Sequence, residues 1–114
     1  MENRRKIETY LGFCLKAGKA TLGVDGIERL KKPPCLLLID ATLGENSAAK
    51  MGKLQQKFAC PMLVCIESLG DLLHRPACKA AALSEKNLAD AVMAEAEKSG
   101  TFKLLREVGN GGIQ

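Results

Sequence analysis

Two short apolar runs in the middle of the chain place the strongest constraint on its fold. The run CLLLI covers residues 35–39 and the run MLVCI covers residues 62–66, and each lies between a proline and an acidic residue. Neither run alternates apolar with polar side chains, which is typical of a strand that is buried on both faces. Such strands need helices on both sides of the sheet, so the two runs favour an α/β fold with parallel strand pairs.

The remaining segments are predicted to supply those helices and two weaker strands. Five segments are predicted to be helical, namely residues 7–15, 24–30, 46–58, 69–73 and 84–96. Ser84 is the expected N-cap of the last of them. Residues 20–22 and 77–83 are expected to be strands. Helices and strands therefore alternate, which predicts four strands in one sheet with helices on both of its faces.

Length and composition indicate one domain. A chain of 114 residues is long enough for one hydrophobic core and too short for two. Its hydrophobic content of 46% is ordinary for a globular protein, so residues 1–100 are predicted to form a single domain. The glycines in residues 101–114 predict a partly disordered tail, in which only Phe102, Leu104 and Leu105 could dock.

Positive charge is concentrated in the first half of the chain. The formal net charge is +4, and residues 1–57 contain 11 Lys or Arg against 6 Asp or Glu, while residues 58–114 contain 6 against 7. A one-sided basic surface suits a polyanionic partner such as RNA, although a solvated helix face is the commoner cause of a charge run.

The cysteines and the apolar segments indicate a cytoplasmic protein. Five cysteines without a CxxC motif, together with a single histidine, His74, predict free thiols in a reducing compartment and no metal site. Cys60 and Cys65 are expected to point to opposite faces of the sheet. No apolar run approaches the roughly 20 residues of a membrane span, and no signal peptide is evident. We therefore expect no membrane partner.

Motifs of the common enzyme classes are absent from the sequence. It contains no GxGxxG, no phosphate-binding GxxxxGK[ST] and no nucleophile elbow GxSxG, so we predict a non-enzymatic protein without a cofactor. One catalytic alternative stays open. Asp40 and Glu67 each follow a buried strand, so they could share one edge of the sheet as an acid–base pair or line a small-molecule site. The alternative explanation is that both acids merely end strands.

Residues 11–47 resemble the short bacterial members of a kink-turn-binding ribosomal protein family, the L-seven-Ae type. The similarity rests on Ala17-Gly18-Lys19, on Gly23, on the strand at residues 35–39, and on Asp40-Ala41-Thr42 followed by Asn46-Ser47. Residues 60–68 resemble the third strand of that family. The resemblance covers residues 5–98 and implies a three-layer α/β/α sandwich around a small four-stranded mixed sheet. It also implies an RNA-binding protein that is ribosome-associated or binds another structured RNA.

In that family, RNA contacts the glycine turn, the first turn of the second helix, and a loop before the last strand. Backbone N–H groups at a helix start can meet phosphates, and polar side chains there can contact bases. Carried over, this implies an RNA site made of the following residues: Lys16, Lys19, Gly23, Val24, Asp25, Gly26, Arg29, Lys32, His74 and Arg75. Lys16, Lys19, Arg29, Lys31 and Lys32 are expected to form one positive patch around Gly23.

Two positions of this site differ from the family pattern. Asp25 and Gly26 stand where the family has Asn or Lys followed by Glu or Gln, so the side chains that recognise bases are changed. The second loop is also shorter than in the family, and Leu69-Gly70 and Arg75-Pro76 can each be aligned with it, though not both without a gap. A protein-interaction adaptor that keeps the fold but has lost the RNA site is therefore the alternative function.

Overall fold

The structure is a computed structural model that describes residues 2–100 and 102–105 of the chain. Five helices and five strands alternate along this part of the chain. In order, they are α1 (Glu2–Lys16), β1 (Ala20–Leu22), α2 (Val24–Glu28), β2 (Leu36–Asp40), α3 (Glu45–Phe58), β3 (Met62–Cys65), α4 (Leu69–Leu73), β4 (Ala80–Leu83), α5 (Lys86–Ser99) and β5 (Phe102–Leu105).

The strands form one mixed sheet in the order β1-β4-β2-β3-β5. Only β2 and β3, the two apolar runs, pair in parallel, and the other three pairs are antiparallel. The prediction of an α/β fold with a mixed sheet is confirmed, and all four predicted strands form. The expectation of parallel pairing holds for β2 and β3 alone. It fails for the pairs that involve β4, because β4 lies between β1 and β2 and runs in the opposite direction to both.

A fifth strand extends the sheet beyond the predicted domain boundary. Residues 102–105 pair antiparallel with β3, and the Phe102 side chain is buried. Gly100 has a left-handed backbone (φ 73°) that ends α5 and turns the chain into β5. The boundary predicted at residue 100 is therefore wrong, since the domain continues at least to Leu105. The rest of the predicted tail, residues 106–114, lies outside the described residues.

Helices cover both faces of the sheet, as a three-layer sandwich requires. Side chains of β2 alternate between two apolar clusters, with Leu36 and Leu38 in one and Leu37 and Ile39 in the other. The first cluster takes residues from α1, α4 and α5, and the second takes residues from α2 and α3. Cys65 and Cys60 belong to the first and second cluster respectively, which confirms that they lie on opposite faces.

The start of α5 differs from the prediction by one residue. Glu85 is the N-cap, and its carboxylate accepts a hydrogen bond from Leu88 N–H at 2.7 Å. The backbone N–H of Ser84 instead donates to Lys19 C=O at 2.8 Å, which continues the pairing of β1 with β4. Ser84 therefore follows β4 directly, with its N–H bonded to the residue before β1, and does not cap the helix.

Candidate RNA interface

The segments that the family resemblance assigns to RNA meet at one edge of the sheet. Strands β1 and β2 both run antiparallel to β4, so both end where β4 begins. We define the glycine edge as Gly23–Gly26 after β1, Asp40–Thr42 at the end of β2, and residues 74–79 before β4. The sheet topology thus joins Gly23–Gly26 to residues 74–79, which lie at least 48 positions later in the sequence.

Gly23 fixes the path of the chain between β1 and α2. Its N–H donates to Ala80 C=O at 2.8 Å, and its backbone has φ 87° and ψ 145°. Only glycine adopts this conformation readily, and another residue would be strained by ~1–3 kcal/mol. A Cβ at this position would meet no atom within 4 Å. A substitution at Gly23 would therefore be opposed by the backbone conformation and not by a steric clash.

The first turn of α2 presents backbone donors at this edge. The N–H groups of Val24, Asp25 and Gly26 belong to the first turn, where a helix supplies no acceptor of its own. The Asp25 side chain is exposed. A Cβ on Gly26 would lie 3.2 Å from Cγ2 of Thr21, a tight contact. Gly26 is thus small where the family has a long polar side chain, and the methyl group of Thr21 occupies the neighbouring space.

The loop between α4 and β4 folds back over Gly70. Arg75 N–H donates to Gly70 C=O at 2.9 Å, and a Cβ on Gly70 would approach the carbonyl oxygens of Arg75 and Pro76 to 2.7 and 2.8 Å. Leu69-Gly70 and Arg75-Pro76, which the sequence does not align together without a gap, are therefore parts of one turn. His74 ends α4 with φ 57°, and its Nε2 lies 3.4 Å from Oε2 of Glu8 in α1. Both His74 and Arg75 are exposed.

A series of side-chain hydrogen bonds, from Asp40 through Thr42, holds Lys79 at the glycine edge. Oδ2 of the buried Asp40 accepts hydrogen bonds from the N–H and the hydroxyl of Thr42 at 3.0 and 2.5 Å, and Oδ1 accepts from Leu69 N–H at 2.8 Å. The Lys79 ammonium donates to the Thr42 hydroxyl oxygen at 2.9 Å. Lys79 and Thr42 are site candidates that the sequence prediction missed, since Lys79 was placed inside the fourth strand.

These contacts decide the ionisation of Asp40. Burial by itself raises the pKa of Asp40, but the hydrogen bonds from Thr42 and Leu69, together with the positive charge of Lys79, outweigh it and hold the pKa below its ordinary value. A carboxylate with this environment is a poor proton acceptor at neutral pH. Its hydrogen bonds instead join β2 to the loop that follows it and to the start of α4, which favours the strand-ending explanation of Asp40 over the catalytic one.

The predicted positive patch is divided between two ends of the sheet. Lys19 C=O accepts from Ser84 N–H at the end of β4, while Gly23 contacts Ala80 at its start. Because β1 is extended, Lys19 lies about 13 Å from Gly23. Lys16 ends α1 beside Lys19, and Lys31 and Lys32 lead to Cys35, whose N–H donates to Leu83 C=O. The prediction of a single patch around Gly23 is thus wrong for Lys16 and Lys19, and Lys31 and Lys32 lie in the segment that leads from α2 towards the other end of the sheet.

Arg29 is the member that stays near Gly23. It is exposed and forms the C-cap of α2, about 9 Å along the helix from the glycine. The cations of the glycine edge and its margin are therefore Arg29, Arg75 and Lys79, with His74 beside Arg75. The acidic side chains of the edge are the exposed Asp25 and the buried Asp40.

Two further findings concern metals and membranes. Within residues 2–100 and 102–105, no three His, Cys, Asp or Glu side chains are grouped so that they could hold a metal ion. In the same part of the chain, each helix is too short or too polar to cross a bilayer.

The fold is similar to that of a solved protein. The structure of a protein with unknown function from Bacillus halodurans shares 14% sequence identity with this chain at a TM-score of 0.67, and the match covers 81% of this chain and 97% of that one. No protein-family model matches the chain, and no curated protein sequence matches it. At this level of identity, the similarity shows the α/β fold alone.

Proposed function

We propose that this chain is a non-enzymatic, cytoplasmic RNA-binding protein whose glycine edge binds a structured, kink-turn-like RNA, either on the ribosome or elsewhere. The observation that carries the proposal is the hydrogen bond from Gly23 N–H to Ala80 C=O at 2.8 Å. It brings the glycine turn and the loop at residues 74–79 side by side, and these are the two segments that contact RNA in the family that the sequence resembles.

The chemistry of the edge supports a polyanionic partner. The Lys79 ammonium and the exposed Arg75 guanidinium lie in the loop that precedes β4, and the first turn of α2 carries backbone N–H groups that can donate to phosphate oxygens. Arg29 adds a planar, permanently charged group that can bridge two phosphate oxygens. The negative charge of Asp25 repels phosphate, so its carboxylate is a more suitable partner for bases than for phosphates.

Removing the charges of Lys79 and Arg75 is expected to weaken RNA binding in a salt-dependent way. In the variant Lys79→Gln/Arg75→Gln, the slope of log K against log salt should become less steep by about 1 for each lost phosphate contact. Binding of a labelled kink-turn RNA, measured by fluorescence anisotropy between low and physiological salt, gives this slope. The substitution to glutamine keeps a polar side chain beside Thr42 and avoids a new negative charge near Asp40.

The matched control is Lys19→Gln/Lys32→Gln, which removes two exposed charges from the other end of the sheet. It should change the slope less than the glycine-edge variant does. Equal effects of the two variants would mean that only the net charge matters, which contradicts a site at the glycine edge. If the protein binds no RNA at low salt, the RNA proposal fails and the adaptor function replaces it.

A second prediction tests the kink-turn specificity. The variant Asp25→Asn/Gly26→Glu restores the family's polar pair, and Thr21→Ser is added because it removes the methyl group 3.2 Å from the new Cβ. The triple variant should bind a kink-turn RNA about 5- to 150-fold more tightly than the parent does, the range expected for one good pair of side-chain contacts to bases. Anisotropy titrations with a straight duplex of equal length measure the selectivity.

Thr21→Ser alone is the control and should leave the affinity unchanged. If the triple variant folds but gains no affinity for the kink-turn over the straight duplex, the RNA partner has another shape. The charge variants above would then still decide whether the glycine edge binds RNA.

A further inference from the structure

Phe13 is a large apolar side chain that the fold leaves in solvent. It lies in the last turn of α1 and is 53% exposed, while Ile7, Leu11 and Cys14 on the opposite face of the same helix are fully buried. The burial of this inner face is sufficient to hold α1 on the sheet. The exposure of Phe13 therefore has no explanation in the packing of the domain.

The residues around Phe13 on the helix surface are cationic or polar. Thr9 precedes Phe13 by one turn and Lys16 follows it by one turn, and side chains at these spacings are neighbours on a helix. Arg5 and Lys6 lie one turn further towards the N-terminus, and all four side chains are exposed. Arg5 to Lys16 spans about 16 Å of helix, which corresponds to a few nucleotides of an extended strand.

Acidic residues are few on this face. Glu8 is the one acidic residue among positions 5–16, and its carboxylate faces His74, with 3.4 Å between Oε2 and Nε2. By its position in the helix, Glu8 lies about 140° around the axis from Phe13. Between residues 5 and 16, the face that carries Phe13 therefore combines an exposed aromatic ring with cations and polar side chains, and Glu2 lies on this face further towards the N-terminus.

A shallow cavity lies beside this face. Its volume is about 330 Å³, and the described residues that line it are Arg5, Lys6, Thr9 and Tyr10. Tyr10 is half-buried against the core and adds a second aromatic ring to the rim. The cavity thus has two cations, a hydroxyl and a phenol, which are groups that bind phosphates, sugars and the faces of bases.

We propose that this outer face of α1, formed by Arg5, Lys6, Thr9, Tyr10, Phe13 and Lys16, is a second nucleic-acid contact and binds a single-stranded RNA segment. One base stacks on the Phe13 ring, and the three cations contact the backbone phosphates. Proteins that bind single strands combine aromatic platforms and cations in this manner, and the stacking tolerates any base. The proposal extends the RNA-binding function to a different face of the molecule. Glu8, on the far side of α1 from Phe13, contacts His74 of the glycine edge, whereas Phe13 and Lys16 lie at the other end of α1, beside Lys19.

Tryptophan fluorescence can detect stacking at position 13. The chain contains no tryptophan, so Phe13→Trp introduces a single tryptophan at the proposed platform. Adding an unstructured, single-stranded 12-nucleotide oligouridylate should quench the fluorescence of this tryptophan, since a base stacks on the indole. A blunt-ended duplex of the same length should quench it much less.

Affinity measurements separate stacking from general hydrophobic contact. In anisotropy titrations with the oligouridylate, Phe13→Ala and Phe13→Leu should each weaken binding roughly 5- to 150-fold, the range for loss of one stacked base, while Phe13→Trp should preserve it. Lys6→Gln should make the salt dependence less steep. Ile66→Ala, which removes a 50% exposed apolar side chain after β3, is the control and should change nothing.

The two surfaces can fail independently in this design. Binding of a blunt-ended kink-turn RNA should respond to the glycine-edge variants and not to Phe13→Ala. If Phe13→Ala and Phe13→Leu bind the oligouridylate as tightly as the parent does, or if the parent does not bind it, the second contact is refuted whatever the kink-turn result is. Self-association that depends on Phe13, seen by analytical ultracentrifugation without oligonucleotide binding, would instead make this face an interface between copies of the chain.

Discussion

Leu37→Ala is expected to lower the free energy of unfolding by about 2–5 kcal/mol, the usual cost of a cavity in a close-packed core. Leu37 is fully buried in β2, which pairs with β4 on one side and with β3 on the other. Its side chain packs in the cluster that includes Met51 and Leu54 of α3 and Ile27 of α2. These neighbours are held by their own helices, so the space left by the missing atoms cannot collapse freely.

Urea unfolding of the parent and the variant at neutral pH measures this loss. The control is again Ile66→Ala, because its side chain is 50% exposed and its removal should change stability by less than about 0.5 kcal/mol. A loss below about 2 kcal/mol for Leu37→Ala would contradict a tightly packed second cluster. In that case the packing between α3 and the sheet would be looser than the burial of Leu37 indicates.

The sequence predicted the local elements better than their arrangement. Residues 35–39 and 62–66 are apolar without alternation, so the burial of β2 and β3 on both faces could be inferred from composition alone. Ile66 is the exception, since it lies beyond the end of β3 and is exposed. Strand β5 was missed because nothing local distinguishes residues 102–105 from a docked tail. They become a strand only because β3 offers a free edge for antiparallel pairing, and this pairing joins residues that are distant in the sequence.

In the candidate site too, local features could be predicted from the sequence, but contacts between distant segments could not. Gly23 could be predicted, since its place before a short helix is a local signal and the family resemblance agrees with it. The assignment of Lys19 to the same patch failed because the register of β1 against β4 decides which end of the strand lies near which loop. Lys79 was missed for a related reason. Its importance follows from the contact with Thr42, 37 positions earlier in the chain, and no local pattern encodes that contact.

Asp40→Asn is expected to cost about 1–3 kcal/mol at neutral pH, because it leaves a buried donor without its acceptor. The two oxygens of Asp40 accept from Thr42 and from Leu69 N–H, and an asparagine can present an oxygen on one side only. The amide group on the other side would face a donor. Urea unfolding gives the loss, and Asp90→Asn is the control, since Asp90 is exposed and pairs with Lys86 one turn earlier in α5 at 3.0 Å. An exposed pair of this kind contributes less than about 1 kcal/mol.

The cost of Asp40→Asn should also depend on pH. Burial by itself raises the pKa of Asp40. The hydrogen bonds from Thr42 and Leu69 and the charge of Lys79 outweigh this effect and hold the pKa below its ordinary value. A carboxyl group whose pKa is lower in the folded state stabilises the fold at pH values above its unfolded pKa of about 3.9, and this contribution disappears as the pH falls through the folded pKa. The difference in stability between the parent and Asp40→Asn should therefore be constant from pH 7 to pH 5 and should decrease below pH 4. The stability difference between the parent and Asp40→Asn could instead stay constant down to the acid unfolding transition. In that case the hydrogen bonds to Asp40 would be no stronger with the carboxylate than with the neutral acid, and the charge of Asp40 would not contribute to stability.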